Sequence, residues 1–480
     1  MRNLTTILII SILIAGLIGC EKYTSGYSAN PLAPQVANST LTFAGAQMGY
    51  MEFTEGTCSW IAGIWADQVH GAQRQFGAYD VYTVNGQDFG NDWGLAYADC
   101  LKNLQIVESS PTSNKKVKGA AEILDGLHMG TVTAVWGDVP YSQAGEGEAN
   151  PSPKYDAQQA VYTAVQSKLD AGIADLTAAT ASLSFQDIFS TAGDISLWIK
   201  LGHSAKARYY MHMARGLGSV NAYDATTLTS VIAEANQGIL ATTGAEDVML
   251  LHTTGAYNGD MNLWFSFGVY DRSGYMDADG CFSVAMLQNR HWDGKTVETN
   301  RLNYYYDSSV GFTDLNYNDN MAFGYNTPYP VFRASETLLL RAEAEQRLAG
   351  ATVDASALAD VNLARTYDNN VFGDNSTPFV AGDFATGAAL LQEILNEEYL
   401  GLISQIEAFN LVRRIDYQIT YKDSADVANN THHQLAPKNA PVNTFPYRFV
   451  YSVDEHNSNP NCPPEAHGTL DQFTRPWFCK

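Results

Sequence analysis

The chain's 51 Asp and Glu, 10 His and 6 Cys could serve metal, nucleophilic or acid–base chemistry, so their spacing comes first. Met276-Asp277-Ala278-Asp279-Gly280 invites a calcium reading. Aligned on an EF-hand loop, however, Tyr275 takes the first position and Met286 the last, where oxygen ligands are required. Asp293, Asp307, Asp314 and Asp319 crowd the same region. A structural Ca2+ held by Asp277 and Asp279 therefore stays open beside the simpler reading of solvated loop carboxylates. No CxxC or Cys/His ligand spacing exists, which argues against zinc. His432-His433 reads as exposed loop, because adjacent side chains seldom converge on one ion. Gly202-His203-Ser204 lies inside a helical pattern, and there is no GxSxG, HExxH, Walker or dinucleotide glycine motif. With so many carboxylates, a glycosidase pair can arise in any fold, so glycoside hydrolysis remains a minor alternative. No cofactor is implied, and the expectation is a protein that binds without bond chemistry.

Binding has better material. Twenty-seven Tyr and 8 Trp are many for a chain that only needs to fill a core; burial explains most of them, and a surplus on the surface would suit stacking against sugar rings or peptide side chains. Loop position selects Tyr79, Tyr82 and Trp93 for one rim of a ligand site and Tyr270 and Trp292 for the other. Asp80 and Arg301 are the polar members. A net charge of -23 excludes nucleic acid as a partner, since a phosphate backbone would be repelled.

The elements that must position these residues are mostly helices. Apolar periodicity predicts helices over about 57–75, 91–109, 117–133, 223–240, 336–348, 358–366 and 390–405. Asp156 reads as the N-cap of a helix carrying Val161, Val165, Leu169, Ile173 and Leu176. Asp194 caps the next, which stops at Arg215-Gly216. Trp136-Gly137-Asp138-Val139-Pro140-Tyr141 makes a corner before this pair. Paired antiparallel helices of this length are the unit of tetratricopeptide-like solenoids, although the repeat consensus is not visible. Trp136 and Trp198 are expected in the core. Glu397-Glu398 is expected to pair with Arg413-Arg414.

Residues 241–330 show no clear period and hold many aromatics. A loop of that length in a compact fold is usually functional. The tail, 416–480, is rich in Pro and Asn and reads as coil; the spacing of Cys462 and Cys479 leaves a disulfide open.

At the other end, Arg2 followed by the apolar run Leu4–Ile14 is a secretory leader, too short to span comfortably. It ends Leu17-Ile18-Gly19-Cys20, which matches the bacterial lipobox. Cys20 is therefore the expected lipidation site, with 1–19 removed and 20–36 a polar tether that anchors the protein to a membrane without spanning it.

WGDVPYSQA at 136–144, PKYDAQQAVY at 153–162 and the GHSAKAR segment at 202–208 resemble the corresponding run in SusD/RagB-type nutrient-binding outer-membrane lipoproteins. The similarity returns at Asn396-Glu397-Glu398-Tyr399, Arg413-Arg414 and Phe445-Pro446-Tyr447-Arg448-Phe449. Gly202-His203 departs from the Ala-Asn that the family favours. The resemblance implies an all-α, tetratricopeptide-like helix-pair superhelical scaffold, with the irregular insertion forming the ligand face. It also implies one binding domain over 37–480, with scaffold at 37–240 and 331–415. The expected function is capture of an oligosaccharide at the cell surface and delivery to a SusC-like TonB-dependent transporter, with peptide capture as the alternative.

Overall fold

The computed structural model describes residues 38–111, 114–179, 187–218, 222–253, 261–429, 431–464 and 471–479. The leader, Cys20 and the tether to residue 36 lie outside them. Among the described residues, no helix is long and apolar enough to cross a membrane.

The chain opens with α1 (Ser39–Glu55) and α2 (Thr57–Trp65), then β1 (His70–Gly71) and α3 (Arg74–Asp80). A helical stretch with a π-turn at Leu95–Leu101 leads into α4 (Lys102–Ser109). The long helices α5 (Lys115–Trp136), α6 (Gln158–Thr177) and α7 (Ile195–Leu217) follow, then α8 (Ala225–Ala235) and β2 (Val248–Leu250). The insertion carries β3 (Met276–Asp277), α9 (Phe282–Asn289) and α10 (Thr299–Tyr305), and closes on β4 (Tyr329–Phe332). The second helical group is α11 (Ala334–Ala349), α12 (Ala355–Phe372), α13 (Gly387–Gly401) and α14 (Ile406–Arg414). The tail adds β5 (Thr420–Tyr421), α15 (Ser424–Asn429), β6 (His433–Gln434) and α16 (Val453–Ser458).

Successive helices pack side by side: α5 on α6, α6 on α7, α7 on α8, α8 on α11, and α11 on α12 and α13. This is the expected all-α, tetratricopeptide-like scaffold. In α6 the stripe Val161, Val165, Leu169 and Leu176 is buried as its spacing predicts. Each such side chain contributes about 1.5–3 kcal/mol on burial. Helix α5 is buried from Val117 to Trp136 on all but small parts of its surface, so it forms the centre of the stack.

The corner after α5 has a structural role at nearly every position. Trp136 is fully buried and its Nε1 donates to Val450 O at 2.9 Å. Gly137 takes φ +91°, a conformation that L side chains rarely adopt. Asp138 Oδ1 accepts from Gln158 N (2.8 Å), so Asp138, and not Asp156, caps the first turn of α6. Asp156 instead ties the corner together, accepting from Tyr141 N (3.1 Å) and from Ser142 N and Oγ. Asp194 does cap α7, accepting from Ser196 N at 2.7 Å, but that helix continues to Leu217. Within it, Ser204 Oγ accepts from Ile239 N (2.9 Å), and Lys206 reaches Asp170 and Glu234 at 2.5 and 2.6 Å. Arg208 makes two bonds to Glu336 (2.6 and 2.7 Å) over the Phe332 ring. Trp198 is core as expected.

Four expectations need correction. Residues 241–330 are not without regular structure: β2 pairs antiparallel with β4, and among the described residues between them lie short helices, a short strand and turns. The tail is not a coil laid over the helices, because Phe449 stacks on Phe409 (5.6 Å, 9°) and Phe478 is fully buried. Glu398 does lie 3.5 Å from Arg414, but Arg414 is held chiefly by two 2.7 Å bonds to Glu343. Arg413 donates to Tyr447 O at 2.6 Å, and Glu397 turns to Arg290 and Arg301. Finally, Cys462 and Cys479 do not form a disulfide. Cys462 Sγ accepts from Tyr155 Oη at 3.2 Å, and burial pushes the Cys479 thiol up to about 12.

Candidate ligand-binding face

The two loops chosen as opposite rims meet through a short antiparallel ladder, His70↔Asp277 and Gly71↔Met276. Ala72 N donates to Tyr275 O at 2.9 Å and extends the seam. His70 Nδ1 lies 2.8 Å from Asp277 Oδ1, and its Nε2 lies 3.8 Å from Asp80. The bond to Asp277, opposed by partial burial and aided by Asp80, raises the His70 pKa above its ordinary value. Lys438 anchors the seam from the tail, with Nζ 2.7 Å from Asp67 Oδ1 and 3.0 Å from Asp80 Oδ1. Burial raises the Asp67 carboxyl against the pull of that ammonium.

The backbone here is strained. Asp67, Arg74 and Tyr82 have φ of 57°, 55° and 63°, and such outliers in non-glycine residues cluster at functional sites. Above the seam runs an aromatic platform. Asn262 Oδ1 accepts from Trp264 N (3.0 Å) and starts a short helix that widens into a π-turn, Ser266–Asp271. The turn presents Tyr270, 58% exposed. Phe265 stands edge-on to Tyr270 (5.6 Å) and to Tyr325 (5.3 Å). Tyr275 is half-buried against Phe76 and Phe267, with the Arg272 guanidinium 5.9 Å from its ring. Behind them, Trp60 packs on Phe267 at 4.2 Å and on Trp264 at 6.4 Å. Gly268 is required where it stands, since a Cβ would fall 2.2 Å from Tyr317 Oη.

Of the residues chosen from loop position whose side chains are described, only Tyr270 is exposed. Tyr79 is buried and donates to Asp88 Oδ1 at 2.7 Å. Tyr82 is buried and accepts from Lys438 N at 3.2 Å. Trp93 packs on Trp136 and Tyr97 in the core. Asp80 accepts from Gly71 N (3.2 Å) and holds Lys438. Asp80, and Tyr82 through Lys438, thus brace the seam, Tyr79 packs on Phe76, and Trp93 belongs to the core around Trp136; none of the four has a free surface for a ligand. Arg301 is buried, bonded to Glu397 (3.0 Å) and Asp368 (3.1 Å), and belongs to a charge network below the surface. The Trp292 side chain lies outside what is described; its backbone is part of the turn Arg290–Asp293. Gln73, Arg74 and Arg272, exposed beside the platform, were not singled out from sequence. Phe265, Tyr275 and Tyr325 were visible only as members of an aromatic-rich stretch.

The calcium reading also changes. Asp277 is committed to His70 and to the Asp279 backbone N–H (3.0 Å), while Asp279 is exposed. Asp293, Asp307 and Asp314 each close a local turn by accepting backbone N–H groups. Among the described residues, the one group with ligand atoms close enough to share a cation is Asp423, Asp426 and His433. That group is already internally bonded, Asp426 Oδ1 accepting from Thr431 Oγ1 at 2.5 Å and Asp423 Oδ1 from Asp426 N at 2.8 Å.

Residues 32–439 match a family model, SusD-like_2, described as starch-binding and associating with the outer membrane. The chain belongs to this family. No curated protein sequence matches it. Among solved structures, this SusD-like chain resembles a SusD/RagB family protein from Bacteroides thetaiotaomicron at 21% identity and TM-score 0.66, covering 92% of this chain and 99% of that one. A chitin-binding protein gives 20% identity and TM-score 0.66 over the same shares. A chitin-binding SusD homologue from Flavobacterium johnsoniae gives 16% identity and TM-score 0.64, covering 92% and 99%. At these identities the likeness shows the fold. The residues that carried the family resemblance in sequence are the ones that tie α5, α6, α7, α11 and the tail together.

Proposed function

We propose that this SusD-like protein binds a neutral oligosaccharide on the Tyr270 platform and hands it to a SusC-like TonB-dependent transporter, without bond chemistry. The observation that carries the reading is the exposed Tyr270 ring, held rigid by Phe265 on a π-turn beside exposed Gln73, Arg74 and Arg272. Gln73 and Arg272, both exposed and both in contact with Tyr275, are the polar groups on the same face from which a bound sugar would take hydrogen bonds, the usual division of labour in a small-ligand site. The family's association with the outer membrane and the chitin-binding relatives of the same fold support the glycan class. Lipidation at Cys20 would hold the domain at the surface on its 20–36 tether.

The test is a glycan and peptide array with protein lacking residues 1–20, followed by calorimetry on Tyr270→Ala. Stacking of about 0.5–1.5 kcal/mol predicts an affinity loss of roughly twofold to twelvefold at unchanged Tm. Binding of peptides alone, or an unchanged glycan affinity in the variant, would count against the platform.

A further inference from the structure

A second concave site, lined by none of the platform aromatics, opens between α13, the segment 379–385, the turn Arg290–Asp293 and β5, with a volume of about 490 Å³. That volume lies within the roughly 300–1,000 Å³ typical of small-ligand pockets. Arg290 lines it while being only 5% exposed. Its Nε faces Glu298 at 3.2 Å, and its Nη2 faces Glu393 at 3.1 Å and also Glu397. Its Nη1 is buried with no hydrogen-bond partner. A buried guanidinium nitrogen left without an acceptor costs free energy, and an acceptor oxygen brought by a ligand is one way to recover it.

The remaining lining is of the kind a sugar requires. Phe379 and Phe384 meet edge-on at 5.2 Å and supply an apolar wall. Tyr421, 7% exposed, meets the cleft only with the small part of its ring left between His433 at 4.8 Å and Phe282 at 5.3 Å. Gln392 and Asn396 share a 3.1 Å hydrogen bond and bring amide groups into the same cleft. Arg290, Lys295 and Lys422 are balanced by Asp293, Asp383 and Glu393, and Lys295 is already bonded to Asp383 at 2.5 Å. A lining without net charge selects against strongly ionic ligands.

We infer that this cleft is a second binding site, separate from the Tyr270 platform, that takes a short neutral saccharide. Its aromatic wall covers a ring face, and Arg290, Gln392 and Asn396 meet hydroxyl or carbonyl oxygens. The choice of a saccharide rests on the reading of the chain as a glycan binder; the site itself rests on the cleft alone. Two such sites on one chain would hold a longer glycan at two points and raise its effective affinity without new contacts at either.

The test titrates protein lacking residues 1–20 with N,N′-diacetylchitobiose and with maltose, following the side-chain amides of Gln392 and Asn396 by NMR. Saturable shifts are expected with at least one sugar, retained in Tyr270→Ala and weakened at least tenfold in Tyr421→Ala and in Gln392→Leu. Gln392→Leu removes the amide at the cost of one atom of side-chain length, is read at the Asn396 amide, and carries the test if Tyr421→Ala fails to fold. No shift at either amide, or shifts undiminished in the folded cleft variants, overturns the second site. Sugar binding abolished by Tyr270→Ala without amide shifts overturns the cleft and leaves the platform standing. Amide shifts intact while Tyr270→Ala has no effect on any glycan overturn the platform alone.

Discussion

At the scale of single residues, the charges inside this protein are the most exposed to test. Arg208 and Glu336 are both buried and joined by two hydrogen bonds of 2.6 and 2.7 Å. Breaking one side of such a pair strands the other charge, which costs about 3–5 kcal/mol. Urea denaturation of Glu336→Gln should show a loss of that size, and a loss under about 1 kcal/mol would contradict the account. His70 makes a second case, with pH as the variable. Its folded pKa is raised by Asp277. A histidine raised in the folded state contributes stability that is fully present below its unfolded pKa of about 6.5. That contribution disappears as pH rises through the raised value. In Asp277→Asn the His70 ring should titrate at lower pH by NMR; an unchanged titration would remove Asp277 as the cause.

At the scale of elements, the π-turn Ser266–Asp271 decides whether the platform exists. Its geometry needs Gly268, because Tyr317 lies across it. Gly268→Ala should destabilise by about 1–3 kcal/mol, the usual cost of overpacking, and should weaken glycan binding along with stability. Gly94 offers the contrast: it is helical (φ -59°) with no atom within 4 Å of an added Cβ. Gly94→Ala should leave stability unchanged or raise it by up to about 1 kcal/mol. Thermal melts of the two variants separate a glycine kept for space from one that is not. The β1–β3 seam is the other decisive element, since it is only two residues long on each strand and relies on His70, Asp80 and Lys438 to stay closed.

At the scale of the whole molecule, the tail is part of the core. Phe449 stacks on Phe409 and packs against Trp136 at 6.1 Å, and Phe478 stacks on His212 at 4.8 Å. Arg413, fully buried, gives one of its hydrogen bonds to Tyr447 O. A chain ending at residue 444 should therefore lose cooperative unfolding and bind a hydrophobic dye, although it keeps the whole helical scaffold. A truncated protein with a sharp, full-size melting transition would show instead that the tail is dispensable.

Much of the scaffold was legible in the sequence because it rests on local rules. Apolar spacing at 161, 165, 169 and 176 gives one buried helix face wherever the helix lies, and a glycine at 137 announces a turn whatever packs around it. The family motifs were legible for the same reason: Ser204, Lys206, Arg208 and Glu397 are structural ties that depend on fixed spacing. The site was not legible to that degree. Tyr79, Tyr82, Trp93 and Tyr270 are all aromatic loop or helix-end residues, and nothing in their local sequence says which ring meets the core and which meets water. That depended on the pairing of His70 with Asp277, 207 positions apart, and on whatever packs against each ring. Local periodicity thus determined many of the helices and suggested that they pair. Which side chains a ligand could reach was decided only when distant segments met, because exposure is a property of the assembled surface.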